Sequence, residues 1–248
     1  MKPLFIIQAR MSSSRLPGKV LKEINNKSLV QRIIESTKAS SYSSKIYIAT
    51  STDKTDDVLA EHLNQQDVSI YRGSLENVFS RFYEITNKEQ GNFDSVVRLT
   101  ADCPLLDPKV IDLTIENHYK KTNYDYTSNG LSGSFPLGQG VEVVEINKFL
   151  DLKNKILTNE DLEHVTRFIW KRPSIYNCNS VEYNHPTYQN CSQLRLTVDE
   201  IEDFNLIEKI IQNMSYDKKK PSLDDIVNFL YKNPKLIDIN KHIKQKET

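Results

Sequence analysis

The stretch that decides the fold is Gln8-Ala9-Arg10-Met11-Ser12-Ser13-Ser14-Arg15-Leu16-Pro17-Gly18-Lys19, which follows the apolar run Leu4–Ala9. Arginine can bind phosphate oxygens through two parallel hydrogen bonds, lysine adds a compact charge, and the N–H groups of a turn form an anion-binding concavity. Ligands of open parallel sheets bind beyond the carboxyl ends of the strands. The stretch therefore predicts a polyphosphate site, with a polar strand–helix turn carrying solvated cations as the alternative.

Around this stretch, short β-branched and apolar runs alternate with segments of helical spacing. The predicted strands of the first half are Leu4–Ala9, Lys45–Thr50, Val68–Arg72 and Ser95–Thr100. The predicted helices are Ser28–Ser40, Thr55–Asn64, Leu75–Lys88 and Pro108–Lys121, the last with Asp107 as N-cap. Strands that alternate with helices predict βαβ units, an α/β fold and a mostly parallel sheet.

The second half is less regular. Its predicted strands are Val141–Ile146, Ser174–Glu182 and Leu194–Val198, and capping boxes at Thr158 with Asp161 and at Ser222 with Asp225 predict two helix starts. Four of the seven glycines lie between Tyr124 and Gly140, which predicts a long loop. We interpret residues 1–235 as one domain and residues 236–248 as a C-terminal tail.

The composition excludes several classes of protein. The 33 Lys and Arg residues balance the 33 Asp and Glu residues, so no general attraction to nucleic acid or to membranes is expected. No apolar stretch approaches the roughly 20 residues that cross a bilayer. The three cysteines and the histidines lack metal-ligand spacing, and no signal peptide precedes the first strand, which predicts a cytoplasmic protein.

The first loop departs from the two best-known phosphate-binding signatures. A Walker A loop needs glycine at the position of Ser13 and a hydroxyl residue at the position of Val20. The G-x-G-x-x-G pattern of dinucleotide-binding proteins does not occur here either. A nucleoside triphosphate bound in another way is therefore the better hypothesis.

Taken together with four later segments, the first loop resembles the signature of a known family. These segments are Tyr71-Arg72-Gly73-Ser74, Arg98-Leu99-Thr100-Ala101-Asp102-Cys103-Pro104-Leu105, Glu163-His164-Val165-Thr166 and Leu196-Thr197-Val198-Asp199. The pattern is similar to that of the cytidylyltransferase-like family that includes spore coat polysaccharide protein F and is related to CMP-sialate and CMP-ketodeoxyoctonate synthetases. The resemblance implies a Rossmann-like three-layer nucleotidyltransferase fold and a homodimer formed by an extension between Tyr124 and Tyr188.

The resemblance also implies roles for the first loop. Arg10, Arg15 and Lys19 would hold the phosphates of CTP, and the catalytic residues would be Lys19, Arg10 and Asp102. Further nucleotide contacts are expected from Gln8, Ala9, Ser12, Ser13, Arg72 and Ser74, the last two near the cytosine. Ser12 stands where the family usually has glycine, and a side chain there calls for a negative φ. For Ser74, the physical alternative is to cap the helix Leu75–Lys88.

Two aspartates follow apolar runs and are candidates for a magnesium site. Magnesium is usually held by one or two carboxylates together with phosphates and water. Spacing alone favours capping roles for Asp102 and Asp199, with Asp199 as the N-cap of a helix through Ile201. The resemblance instead implies that both carboxylates bind Mg²⁺, while Asp203 is expected at the surface.

The acceptor side is defined by weaker signals. The resemblance implies acceptor contacts from Glu142, His164 and Arg195, and the equal alternative for each is a buried polar contact within the second half. Arg98 and Gln139 are further candidates for acceptor contacts. Within a strand, Arg98 needs either an ion pair or an acceptor anion. The family often shows F-P-R-G-L-D-V-E where this chain has Phe135-Pro136-Leu137-Gly138-Gln139-Gly140-Val141-Glu142, so Leu137 replaces an arginine.

These observations predict a CTP-dependent cytidylyltransferase that uses Mg²⁺. It would transfer CMP to a sugar acid or to a sugar or polyol phosphate and release pyrophosphate, in the synthesis of surface polysaccharide or glycan precursors. The expected partners are CTP and the small acceptor, with no nucleic acid and no membrane. The alternative is a degenerate nucleotide-binding or assembly protein that lost acceptor chemistry through changes such as Leu137.

Overall fold

The computed structural model describes residues 1–120 and 124–245, and within them seven strands form one sheet in the order β5-β4-β1-β6-β8-β7-β9. A separate hairpin pairs β2 with β3. The strands are β1 (Pro3–Gln8), β2 (Glu23–Ile24), β3 (Lys27–Ser28), β4 (Ile46–Ser51), β5 (Ser69–Gly73), β6 (Ser95–Thr100), β7 (Tyr126–Ser128), β8 (Glu142–Glu145) and β9 (Cys178–Ser180). The predicted α/β fold with a mostly parallel sheet is confirmed.

The register of the sheet positions the first loop. β1 pairs in parallel with both β4 and β6, and Gln8 lies opposite Ala49 on one side and Thr100 on the other. The carboxyl ends of these three strands therefore meet at one edge. From β1 the chain adds β4 and β5 on one side of that strand, and it then places β6 on the other side. In open α/β sheets, such a reversal of strand order leaves a crevice in which ligands bind.

Helices cover both faces of the sheet. Their bounds are α1 (Leu29–Lys38), α2 (Asp57–Leu63), α3 (Val78–Lys88), α4 (Pro108–Tyr119), α5 (Ile146–Asp151), α6 (Asn159–Glu163), α7 (Arg167–Trp170), α8 (Ile201–Asn213), α9 (Leu223–Lys232) and α10 (Pro234–Ile237). Successive residues of β1 face opposite sides, so Phe5 joins one buried cluster and Leu4 the other. This gives the three layers expected from the resemblance.

Several predicted helix starts are confirmed by their capping bonds. Asp107 accepts a hydrogen bond from the backbone N–H of Lys109, with Pro108 at the first turn. The capping boxes at Thr158 and Ser222 are both present. The helix predicted from Pro108 to Lys121 ends at Tyr119, and Lys121 lies outside the described residues.

Other predicted boundaries were wrong. The helix expected from Leu75 begins at Val78, because Asn77 rather than Ser74 accepts the capping bond from Ser80 N–H. Strand β7 lies inside the segment that was predicted to be a loop throughout. The predicted strand Ser174–Glu182 shortens to β9, which is paired only with the three residues of β7.

The segment Leu194–Val198 is buried, as a strand would be, yet among the described residues its sheet-type pairing is a single isolated bridge between Arg195 and Leu137. Leu196 N–H donates to the carbonyl of Leu137 at 2.7 Å, and Val198 N–H donates to that of Asp102 at 2.8 Å. Its partners are thus two loops instead of one strand, which explains why the strand prediction failed.

The predicted boundary at residue 235 falls within α10. Beyond that helix, Asn240 is buried and donates to the carbonyl of Arg195 at 3.0 Å, so this part of the predicted tail packs on the domain. Residues 246–248 lie outside the described part. Among the described helices, none has the length and apolar character needed to span a bilayer.

Candidate functional site

The main cavity of the described structure has a volume of about 700 Å³ and opens at the carboxyl ends of β1 and β6. One wall is the first loop, residues 8–19. The other walls come from the turn after β6, from the 129–142 segment and from the ends of α6 and α7. The cavity lies in the crevice that the strand order predicts.

The first loop is held in shape by its own backbone and by one buried acid. The carbonyl of Met11 accepts hydrogen bonds from Ser13 N–H at 2.9 Å and Gly18 N–H at 2.8 Å, and Gly18 has a φ of 72° that favours glycine. Met11 N–H donates to Asp56 Oδ1 at 2.6 Å. Asp56 is fully buried and was missed in the sequence, where it has no signal beyond its place after β4.

Ser12 fits the loop without backbone strain. Among the described residues other than glycine, positive φ occurs at Asn25, Asn26, Val165, Asn190 and Ser215. Ser12 is not one of them, so it adopts the negative φ that its side chain requires.

Lys19 forms the centre of the site. Its buried ammonium donates to Asp102 Oδ2 at 2.8 Å, to Asp199 Oδ1 at 2.9 Å and to the carbonyl of Val198 at 2.7 Å. Burial alone would lower the pKa of Lys19, but the charges and hydrogen bonds of the two aspartates outweigh burial and raise it. Lys19 is therefore a permanent cation, and all three of its protons are engaged.

Asp199 is surrounded by cations. Besides Lys19, its Oδ2 lies 3.1 Å from Arg15 Nη2 and 2.7 Å from Arg195 Nη2. Burial would raise the pKa of Asp199, but these charges hold it below its usual value. The N-cap of α8 is Glu200, so the capping alternative for Asp199 is not what the structure shows.

Asp203 does not lie at the surface, contrary to the prediction. It is fully buried on α8, and its Oδ1 accepts from Arg195 Nε at 2.8 Å. Its Oδ2 accepts from the backbone N–H groups of Asp199 at 2.9 Å and Glu200 at 3.0 Å. Arg195, predicted to contact the acceptor, is thus engaged in holding Asp199 and Asp203.

Asp102 and Asp199 are the carboxylates of this site with which a magnesium ion can be compared. No group of three or more His, Cys, Asp or Glu side chains forms a complete metal site within residues 1–120 and 124–245. Asp102 Oδ2 and Asp199 Oδ1 nevertheless converge on one cation, the Lys19 ammonium. Magnesium needs only one or two carboxylates when phosphates and water supply the rest, so this donor set fits.

Arg98 is paired instead of free for an anion. Its Nη1 donates to Glu142 Oε1 at 2.7 Å and its Nη2 to Gln8 Oε1 at 3.0 Å. Glu142 Oε2 accepts from Thr166 Oγ1 at 2.5 Å. Of the two alternatives for Arg98, the structure shows the ion pair.

Five predicted contact residues do not line the cavity, namely Ser12, Arg195, Arg72, Ser74 and Gln139. Arg72 donates to the carbonyl of Ser51 and to Asp57 Oδ1, at 2.8 and 2.6 Å. Ser74 Oγ accepts from Asn77 N–H at 3.0 Å. The buried amide of Gln139 bonds to backbone groups of the turn after β6, at 2.9 and 3.0 Å, so it holds two loops together and is not exposed to a ligand.

The far end of the cavity carries Arg10, His164 and Trp170. The Arg10 side chain is 38% exposed, and its Nη2 lies 3.8 Å from Glu163 Oε1, a long ion pair. Burial lowers the pKa of His164, which keeps the ring neutral at pH 7. Trp170 also lines the cavity, and nothing in its sequence pattern indicated this.

A family model described as cytidylyltransferase matches residues 4–225 of this chain. The chain is also 34% identical over 237 residues to the spore coat polysaccharide biosynthesis protein SpsF of Bacillus subtilis (strain 168). That alignment covers 93% of this chain and 95% of that protein.

Two solved structures are similar to this fold. A cytidylyltransferase from Leptospira borgpetersenii serovar Hardjo-bovis superimposes with a TM-score of 0.88 and 26% identity, covering 100% of both chains. A CMP:2-keto-3-deoxy-manno-octonic acid synthetase complexed with CTP gives a TM-score of 0.63 at 14% identity, covering 86% of this chain and 100% of that one. At that identity the second likeness concerns the fold alone.

Proposed function

The chain belongs to the cytidylyltransferase family, and we propose that it transfers CMP from CTP to a sugar acid or to a sugar or polyol phosphate. The acceptor oxygen attacks the α-phosphorus, the bond to the β-phosphate breaks, and pyrophosphate leaves with the bonding electrons. A hydroxyl acceptor gives its proton to the solvent, whereas a phosphate acceptor attacks through an oxygen that is already ionised. A sugar acid yields a CMP-linked product, and a phosphate acceptor yields a CDP-linked one.

One observation carries this proposal: the first loop brings Lys19 against Asp102 and Asp199 at the mouth of the crevice. Transfer of a phosphoryl-type group needs mainly positioning and neutralisation of charge. Arg10 and Arg15 line the same cavity and supply further cations for the triphosphate. The chain therefore needs no nucleophile of its own.

Asp102 and Asp199 would hold a magnesium ion, which when bound neutralises phosphate charge. The Lys19 ammonium lies between the two carboxylates, so we propose that it leaves them for the phosphates when CTP binds. Beside the two carboxylates its pKa is raised, which keeps it charged before CTP binds. Arg195 then remains on Asp199 and fixes that carboxylate.

The acceptor is proposed to lie at the end of the cavity formed by Arg10, His164 and Trp170. The aromatic face of Trp170 offers apolar area beside a polar rim, which suits a sugar ring. Glu142 acts through Arg98, which it holds in place.

The test is release of pyrophosphate from CTP in the presence of Mg²⁺ and a panel of sugar acids and sugar phosphates, with mass spectrometry of the products. We expect turnover with at least one acceptor and a loss of about 10²- to 10³-fold in kcat for Lys19→Ala or Asp102→Ala. The exposed Lys54→Ala variant is the control. If both Lys19→Ala and Asp102→Ala turn over at the wild-type rate, the assignment of these residues to the active site is wrong.

A degenerate binding protein is the second candidate, and the specific observation behind it is Leu137, which is partly exposed at the cavity where the family often has arginine. Binding of CTP measured by calorimetry, without turnover on any acceptor of the panel, would favour this candidate.

We also propose that the chain forms a homodimer through the extension that the family resemblance locates between Tyr124 and Tyr188. On the same basis we propose that the protein acts in the cytoplasm, in the synthesis of surface polysaccharide or of glycan precursors. The polysaccharide function named for the Bacillus subtilis relative supports it.

A further inference from the structure

The 238–245 segment, which follows α10, reaches the main cavity although it was predicted to be part of a tail. Gln245, at the end of this segment, is exposed and lines the cavity. Its Oε1 accepts a hydrogen bond from Arg195 Nη1 at 2.6 Å. The segment therefore contributes a side chain to the cavity wall, and the proposed chemistry does not use that side chain.

A buried amide holds the segment in place. Asn240 is 2% exposed, and its Nδ2 donates to the carbonyl of Arg195 at 3.0 Å and to Asp203 Oδ1 at 2.9 Å. Ile243 N–H donates to the carbonyl of Asn240 at 3.0 Å, so a turn follows the buried amide. Breaking the bonds of a buried amide would leave Arg195 and Asp203 with unsatisfied polar groups, which is costly. The position of the segment relative to Arg195 is therefore well defined.

Arg195 brings Gln245 beside Asp199. A guanidinium is a planar fork whose nitrogens are fixed relative to one another. Arg195 donates from Nη1 to Gln245 and from Nη2 to Asp199 Oδ2, the latter at 2.7 Å. Asp199 Oδ1 in turn accepts from the Lys19 ammonium at 2.9 Å. Gln245 thus lies next to the carboxylate and the cation that are proposed to meet the triphosphate.

The amide of Gln245 has one end that is not engaged. Because arginine has only donors, the amide turns its oxygen towards Arg195 and its NH2 group away from it. No described residue accepts a hydrogen bond from Nε2. Lys19 and Arg15, by contrast, both form ion pairs with Asp199. Gln245 is thus a donor at the cavity that a ligand can bind without separating an ion pair.

We infer that Gln245 donates from Nε2 to a phosphate oxygen of the bound nucleotide, while its Oε1 stays on Arg195. This inference rests on the proposed function, since it assumes a nucleoside triphosphate in the cavity. Phosphate oxygens are acceptors, and hydrogen bonds to a charged acceptor are among the stronger ones in proteins. Gln245 is therefore a nucleotide-binding residue supplied by the segment after α10, outside residues 4–225 that the family model matches.

The experiment measures the affinity for CTP by calorimetry, with Mg²⁺ present, in the wild type and in two variants of Gln245. Gln245→Met and Gln245→Lys both lack the oxygen that accepts from Arg195, but only lysine offers a donor to phosphate. We expect Gln245→Met to bind CTP about 10- to 100-fold more weakly, the range for loss of a hydrogen bond to a charged group. Gln245→Lys should keep an affinity close to that of the wild type.

Gln212→Met and Gln212→Lys are the matched controls, because they make the same changes at an exposed position near the end of α8. Both should bind CTP as the wild type does. If Gln245 only anchors the segment to Arg195, Gln245→Met and Gln245→Lys will bind CTP equally well, and that result would overturn the inference. Wild-type protein that binds no CTP would instead refute the proposed function, and the inference with it.

Discussion

At the scale of single residues, most cations predicted to bind ligand are paired with acids of the chain. Lys19, Arg15 and Arg195 all contact Asp199, and Arg98 contacts Glu142. Arg10 is the most exposed of these predicted cations in the described structure, at 38%, and its ion pair with Glu163 is long, at 3.8 Å. The cations of the site are therefore neutralised by ion pairs, and under the proposed function a triphosphate would have to compete with the aspartates for Lys19 and Arg15.

Arg195 contributes to the stability of the folded protein. Replacing it with methionine leaves the buried carboxylate of Asp203 without its cation, which typically costs about 3–5 kcal/mol. We expect Arg195→Met to lower the free energy of unfolding by that amount, measured by urea denaturation. Arg72→Met removes the exposed pair with Asp57 and should cost about 1 kcal/mol or less. Equal losses of unfolding free energy in Arg195→Met and Arg72→Met would contradict a buried ion pair between Arg195 and Asp203.

His118 makes folding depend on pH. It is buried on α4, with Nδ1 3.1 Å from Thr127 Oγ1, and burial lowers its pKa to about 4, although the charge of Asp125 acts in the opposite direction. Unfolded histidine has a pKa of about 6.5. Between these values the unfolded chain binds the proton and the native chain does not, so stability is complete above about pH 6.5 and is lost as pH falls toward 4.

The size of this effect follows from the separation of the two pKa values and reaches about 3 kcal/mol at pH 4. Urea titrations at pH 7 and pH 5 should therefore differ more for the wild type than for His118→Gln, which has no titrating ring. His242→Gln, at an exposed position, is the control for loss of a histidine. Identical pH dependence in the wild type and His118→Gln would show that this ring does not titrate as its burial requires.

At the scale of elements, the sequence predicted what depends on local order. The parallel strands β1, β4, β5 and β6 and the starts of α4, α6 and α9 follow from apolar periodicity and capping residues that act within a few positions. Contacts between segments distant in sequence gave no such signal. The burial of Asp203 against Arg195 and the pairing of Leu196 with Leu137 depend on such contacts, and so both were mispredicted.

The contact between the 136–140 turn and the segment at Leu196 depends on one glycine. Gly138 has a φ of 94°, and a Cβ on it would lie 2.4 Å from the carbonyl carbon of Leu196. We expect Gly138→Ala to lower the free energy of unfolding by about 2–4 kcal/mol, from a strained φ and from overpacking. Gly140→Ala is the matched control, because no atom lies within 4 Å of its Cβ position. Equal losses of unfolding free energy in the two variants would refute the close approach at Gly138.

At the scale of the whole molecule, two large apolar side chains stand out in the proposed dimerisation extension. Ile156 is 94% exposed and Ile175 is 69% exposed, and neighbouring exposed apolar groups often mark an interface. A dimer would bury them. Light scattering should therefore give twice the chain mass of 28.7 kDa.

Replacing both side chains with charge tests which surface forms that dimer. We expect the double variant Ile156→Glu, Ile175→Glu to have the mass of a single chain in light scattering. The variant should still unfold in a thermal transition, which shows that it is a folded monomer. Val58→Glu places a charge on an apolar residue that is 50% exposed on α2, outside the extension, and should leave the mass unchanged. If the double variant is still a dimer, the interface does not include Ile156 and Ile175. If the wild type has the mass of a single chain, the homodimer proposal is wrong.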